Sequence, residues 1–283
     1  MNKLKKPNDD VENVFNDCIS NIRDKALKAE LRNCLNDIVL NSKDYEQKMV
    51  NGQVHTIPVH IELNGVTKEQ MVKLYDEKMA KSGQPGRKYY DKLMSVPEYG
   101  ICPYCGQGLV TTLDHYLAKT KFVSLVVTPS NLIPSCFDCN KAKASSDFKE
   151  FTDTMINPYF DDLGAEIWLK AKVVNEKQDD FVVIYYVQKP QGWSDVLFKR
   201  VENHFNAFHL NRLYSSHAAQ KLRGLKTKLI IKYRKSGLDS VLEYLEDGLD
   251  EYSYDLNCWQ RALFSELLEN SWIHEEWIEM YKE

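Results

Sequence analysis

Apolar residues recur along the first fifty positions with a helical period. Val11, Val14, Phe15, Cys18, Ile19 and Ile22, then Leu31, Leu35, Ile38 and Val39, mark two helical segments within 10–48. Val54 to Leu63 reads as extended. Thr67 opens a helix to about Lys81, with Gln70 completing a capping box, and Ser82-Gly83-Gln84-Pro85-Gly86 breaks it. A short helix over 87–95 comes next. Leu109–Leu113 is β-prone after the turn Gly106-Gln107-Gly108, and Phe122–Val127 forms a second extended run. Cys136–Ser145 contains neither Gly nor Pro and reads as a short helix, so the local order is strand, strand, helix. A hairpin, Glu166–Val174 and Phe181–Val187, turns through Asn175 to Asp180. From Trp193 onward the pattern predicts helices at about 194–209, 212–235, 238–247 and 254–281.

Cysteine spacing adds the first chemistry. Cys102-Pro-Tyr-Cys105 and Cys136-Phe-Asp-Cys139 are two CxxC turns in a C-x2-C-x30-C-x2-C pattern, and four thiolates suit tetrahedral zinc. The interval is longer than the usual 15–20, but the extra closure entropy is only about 0.5 kcal/mol. The alternative is two disulfides. The N-terminus, Met-Asn-Lys-Leu-Lys-Lys-Pro, carries no apolar leader, so reduced thiols and a cytoplasmic location are expected. Cys18, Cys34 and Cys258 fall in helical stretches as ordinary thiols.

Between the knuckles lie Asp114-His115 and Asn131, and Asn140 follows the last cysteine. Histidine suits a general base near neutrality, and a carboxylate with an amide oxygen suits Mg²⁺ or Mn²⁺. His115 is the expected base, Asp114 and Asn140 the expected ligands of a catalytic divalent cation, and Lys119, Lys121 and Lys143 the expected phosphate contacts. Each has a plainer reading as a turn, capping or solvated residue. His204, His209 and His217 are expected to pack or face solvent.

Together, Cys102-Pro-Tyr-Cys105, Leu113-Asp114-His115-Tyr116-Leu117, Asn131-Leu132 and Cys136-x-x-Cys139-Asn140-x-x-Lys143 resemble the HNH nuclease family, the ββα-metal fold with a structural zinc. The resemblance covers about 45 residues; Arg87-Lys-Tyr-Tyr-Asp91 and Asn157-Pro-Tyr-Phe160 extend it more weakly. It implies an α+β protein with an HNH core, structural Zn²⁺, one-metal phosphodiester hydrolysis leaving 3′-hydroxyl and 5′-phosphate, and Asn131 bracing the loop that carries His115. The sequence departs from the family in having Asn140 where histidine is common, and Ala118 where proline is common. DNA is the implied substrate, RNA the less favoured one. Bacterial proteins of that family and size often serve as effectors in anti-phage defence, sometimes beside an ABC-type ATPase, and the large flanks and acidic tail make such a role an expectation here. A zinc-organised binding module without catalysis and a stand-alone restriction-type enzyme are the competing readings; homo-oligomer formation stays open.

The expected organisation is a helical region at 1–97, the nuclease core at 98–160, and a hairpin with helices at 161–283. Net charge is −4, unusual for a nucleic-acid enzyme until it is mapped. Residues 199–235 hold ten Lys/Arg against Glu202, and 239–283 hold thirteen acids against Arg261 and Lys282. The basic stretch either follows a phosphate backbone or pairs with the acidic one inside a helical domain. The longest apolar run, Phe181–Val187, is too short to span a bilayer, so no membrane partner is expected.

Overall fold

The structure is a computed structural model that describes residues 3–143, 148–177 and 180–282. The expected helix end at Ser145 and the tip of the 175–180 turn lie outside the described residues. The chain is a largely helical α/β protein with small antiparallel hairpins, and it divides into two compact units, Met1–Asp162 and Leu163–Glu283. Among the described residues no helix is long and apolar enough to cross a membrane.

In the first unit, the apolar stretch expected over 10–48 is three helices: α1 (Val11–Ser20), α2 (Lys25–Asn33) and α3 (Leu35–Val50). Asp10 and Asp24 cap the first two by accepting from backbone N–H groups of the opening turn. Val54–Thr56 is a turn of 3-10 helix rather than a strand, because the Thr56 hydroxyl and N–H both donate to the Gln53 carbonyl. Pairing begins only at β1 (Glu62–Leu63), which meets β2 (Val66–Thr67). Thr67 then caps α4 (Lys68–Leu74) through the expected box with Gln70, and the helix widens into a π turn, Tyr75–Ala80. Next come α5 (Arg87–Met94), β3 (Thr112–His115), β4 (Leu132–Ser135) and α6 (Phe137–Lys143).

The second strand is therefore not Phe122–Val127. That run coils into a turn at Val123–Leu125, and its carbonyls go elsewhere: Leu125 O accepts from Asn131 Nδ2 and Val126 O faces the His115 ring. The order strand, strand, helix survives with β4 as the partner, in the register Thr112↔Ser135 to His115↔Leu132.

No break separates 1–97 from the β3–β4 hairpin. Phe15, Leu31, Ile38, Met71 and Met79 share one buried cluster with Leu113 of β3 and Leu132 of β4. The hairpin has a single small apolar face, and the preceding helices supply the surface against which it is buried.

The second unit folds on its own hairpin, β5 (Leu169–Lys177) with β6 (Asp180–Val187). Side chains of the helices and of the turn before α9 satisfy its outer edges: Asn257 accepts from the N–H groups of Trp168 and Leu169, Glu266 from Val173, and Asn211 from Tyr185. Three helices complete the unit, α7 (Asp195–Ala207), α8 (Leu210–Glu251) and α9 (Trp259–Glu269). The 42 residues of α8 are two antiparallel arms, not one rod. Gly237 (φ 75°, ψ −171°) reverses the chain, and Lys228 and Lys232 both lie over the Tyr244 ring, at 5.9 and 5.2 Å. A straight helix would hold residues 228 and 244 about 24 Å apart. The expected separate helices on either side of 237 are thus present, with the second continuing to 251. The expected helix to 281 is interrupted at Asn270 and resumes as a π turn, Ile273–Trp277, and a 3-10 turn, Ile278–Tyr281. The Asn270 amide donates to Glu266 and its oxygen accepts from Ile273 N–H, which diverts the backbone from the helical ladder.

The basic and acidic stretches consequently lie side by side within one unit. Among the described residues Lys228 and Lys232 meet the second arm over the Tyr244 ring and Lys221 lies over Tyr252 at its end, at 5.4 Å, while Lys226 pairs instead with Asp180.

Candidate metal centre and the histidine beside it

Cys102, Cys105, Cys136 and Cys139 are buried, and their sulfur atoms all lie within 4.8 Å of one another. A tetrahedral ion with bonds of about 2.3 Å needs sulfurs about 3.8 Å apart, close to the 4.0 Å between Cys105 and Cys136. Backbone amides already point at two of them: Gly108 N–H donates to Cys105 Sγ at 3.3 Å and Cys139 N–H to Cys136 Sγ at 3.4 Å. Hydrogen bonding from Cys102 holds the Cys105 thiol well below its usual range and brings Cys136 to about 7. The same sharing pushes Cys102 and Cys139 up. The residues present fit a structural metal such as zinc.

The turn chemistry explains why the knuckle closes. Gly106 has φ +65°, and a Cβ on Gly108 would stand 2.8 Å from Cys136 Cβ and 2.9 Å from its sulfur. Only glycine admits the second knuckle this close.

The cluster joins the 102–105 turn, which leads into β3, to the start of α6, and β3 carries Asp114 and His115 on opposite faces by strand alternation. His115 is 7% exposed. Its Nε2 lies 2.9 Å from the Val126 carbonyl, an acceptor only, so Nε2 carries the proton and Nδ1 the lone pair. Among the described residues no hydrogen bond to Nδ1 is seen. Tyr75, from the π turn after α4, packs edge-on against the ring at 4.4 Å. Burial pushes the His115 pKa down to about 3, partly opposed by the bond to Val126 and reinforced by Lys119 and Lys143. The ring is neutral at physiological pH.

Asn131 is fully buried between the two strands. Its Oδ1 accepts from Leu117 N–H at 2.8 Å and its Nδ2 donates to Leu117 O at 3.1 Å and Leu125 O at 3.3 Å. The Asn157-Pro-Tyr-Phe160 segment buttresses the same loop. Tyr159 OH donates to Leu132 O, and Asn157 Nδ2 donates to the hydroxyl of Tyr45, which itself reaches Ser130 O.

The other face differs from expectation. Asn140 donates to Thr112 Oγ1 at 3.3 Å, placing it on the Asp114 face of β3. Asp114, however, is 4% exposed and already engaged. Tyr104 OH donates to Oδ2 at 2.9 Å, and Lys143 Nζ lies 3.1 Å from Oδ1 and 2.9 Å from Oδ2. Lys143 also donates to His115 O at 2.6 Å. Its side chain is 3% exposed, so the expectation that Lys143 touches phosphate is corrected: it is an internal cation here. Lys119 pairs with Asp76 at 2.6 Å and lies over Tyr75 at 4.9 Å, tied to the helix beside His115. The backbone of Lys121 bonds His60 N–H at 2.8 Å, and its side chain is half-buried.

Tyr75, Tyr104 and the Val126 carbonyl carry no mark in the sequence pattern of the site. Tyr104 sits inside the first CxxC turn, where its placement beside Asp114 follows from the metal clamp. Tyr75 stands 40 positions from His115 with no local signal.

Fold and site define a two-unit α/β protein with a buried four-cysteine centre that could hold a structural metal. The chain is 28% identical over 223 residues to Protein ea31 of Escherichia phage lambda, covering 73% of this chain and 74% of that protein. No protein-family profile matches the chain. No solved structure matches it.

Proposed function

We propose that this protein is an HNH-type endonuclease that hydrolyses phosphodiester bonds, with DNA as the preferred substrate. The observation that carries the reading is the orientation of His115: its Nε2 proton is committed to Val126 O, which leaves Nδ1 as the proton acceptor, a weak one while burial holds the ring's pKa near 3. The hairpin-then-helix frame, the four-cysteine clamp and the Asn131 brace support it. His115 Nδ1 accepts a proton from water as the oxygen attacks phosphorus. The P–O3′ bond breaks, the leaving oxygen takes a proton from solvent, and 3′-hydroxyl and 5′-phosphate ends result. Asn131 and Tyr75 hold the loop and ring in place for that transfer.

The four cysteines fit zinc, which would supply folding energy and no chemistry. A catalytic Mg²⁺ or Mn²⁺ between Asp114 and Asn140 does not fit the arrangement as it stands, because Lys143 and Tyr104 already fill the carboxylate. That engagement favours a second reading, a zinc-organised nucleic-acid or protein binding module in which Asp114 is structural. An effector role in anti-phage defence with an ATPase partner belongs to the first reading. It would be checked by isolating the native protein and asking whether an ATPase accompanies it.

Wild type and His115→Ala, both zinc-loaded, should be incubated with supercoiled plasmid under Mg²⁺, Mn²⁺ or no divalent cation. The nuclease reading expects nicking by wild type and a loss of roughly 10²-fold or more in the variant, the worth of a general base. Equal cleavage by both removes His115 as base. Tight plasmid binding without cleavage by either selects the binding module.

A further inference from the structure

Asp114 is a buried carboxylate whose partners are all identified: the Tyr104 hydroxyl and the Lys143 ammonium. The lysine comes from the last turn of α6, 29 residues away, and reaches both carboxylate oxygens while also binding His115 O. Both charged side chains are almost fully removed from water. A buried carboxylate needs a counter-charge, and here the chain provides its own. A divalent cation needs open oxygen lone pairs and room for waters, neither of which this carboxylate offers while the ammonium stays.

We propose that Lys143 is the resident counter-ion of Asp114, and that a divalent cation occupies this carboxylate only when Lys143 has left it. The inference rests on the nuclease reading only for the kind of ion that would enter. The ammonium and the metal compete for one site, so Lys143 is a positioning residue that sets metal affinity. With metal absent, it also ties α6 to the end of β3.

The test uses the zinc-loaded full chain and Mn²⁺ alone. Mn²⁺ binding is read by electron paramagnetic resonance and by melting temperature, for wild type, Lys143→Met, Asp114→Asn and the double variant. Wild type is expected to bind Mn²⁺ at this site at least tenfold more weakly than Lys143→Met. Lys143→Met should melt on the order of 10 °C below wild type without metal, since removing one partner strands a buried charge. Millimolar Mn²⁺ should restore much of that loss, and the double variant should neither need nor bind the ion. Two results overturn the proposal: wild type binding Mn²⁺ as tightly as Lys143→Met through Asp114, or Lys143→Met melting like wild type with no gain in Mn²⁺ affinity. If Lys143→Met does not fold, wild type against Asp114→Asn decides. Equal, weak binding by both is expected, and submillimolar binding lost in Asp114→Asn refutes the competition. None of these readings involves cleavage, so a failure here is separate from a failure of the nuclease reading.

Discussion

Asn131 grips both backbone groups of Leu117, accepting from its N–H at 2.8 Å and donating to its carbonyl at 3.1 Å. The amide thereby copies a missing strand partner for the loop two residues beyond His115. Asn131→Ala should strand two buried backbone groups and cost about 2–4 kcal/mol in denaturant unfolding. Asn131→Asp keeps the acceptor and loses the donor. It should remain folded yet cut plasmid more slowly than wild type, a comparison that urea titration and a nicking assay make together.

One metal ion per chain is expected on mass spectrometry under native conditions, and its removal should unfold the first unit selectively. Gly108→Ala gives a sharper version of the same test. The new Cβ would stand 2.8 Å from Cys136 Cβ, so the variant should lose the metal even though all four ligands remain. Gly106→Ala, with only its φ of +65° to strain and nothing near its Cβ, should cost about 1 kcal/mol and keep the metal.

The depressed pKa of His115 makes a signed prediction about acid stability. Folding lowers it from the ordinary 6.5 to about 3, so between those values the unfolded chain binds the proton and the folded one does not. The contribution is complete above pH 6.5 and is lost progressively as pH falls toward 3. By about pH 5 the wild type should have lost about 2 kcal/mol relative to a His115→Gln variant, as measured by chemical denaturation at a series of pH values.

Gly237 holds a backbone conformation (φ 75°, ψ −171°) that is almost confined to glycine. Gly237→Ala should destabilise the second unit by about 1–3 kcal/mol without touching metal content. If the two arms of α8 were instead one rod, alanine would stabilise it, so the sign of the change in thermal unfolding decides.

The capping box at Thr67 and Gln70, the break between helices near residue 237 and the hairpin after residue 166 are all legible in the sequence, because each is written in residues within a few positions of one another. So is the four-cysteine centre, since CxxC turns bring two sulfurs together by local geometry alone. Phe122–Val127 reads as a strand and is not one. Its β-branched composition carries no sign that Leu125 and Val126 give their carbonyls to Asn131 and His115. Asn270 is likewise invisible as a helix stop until its amide finds Glu266 and Ile273.

The residues of the site were determined by sequence: cysteine spacing marked the metal ligands, and the knuckles enclosed Asp114, His115 and Asn131. Their states were decided by the tertiary structure. Strand alternation put Asp114 and His115 on opposite faces, the Val126 carbonyl chose the histidine tautomer, and packing without water paired Asp114 with Lys143. Spacing along a chain sets which groups can meet. Burial sets what charge and which proton each one keeps, and burial is a property of every element packed around the site.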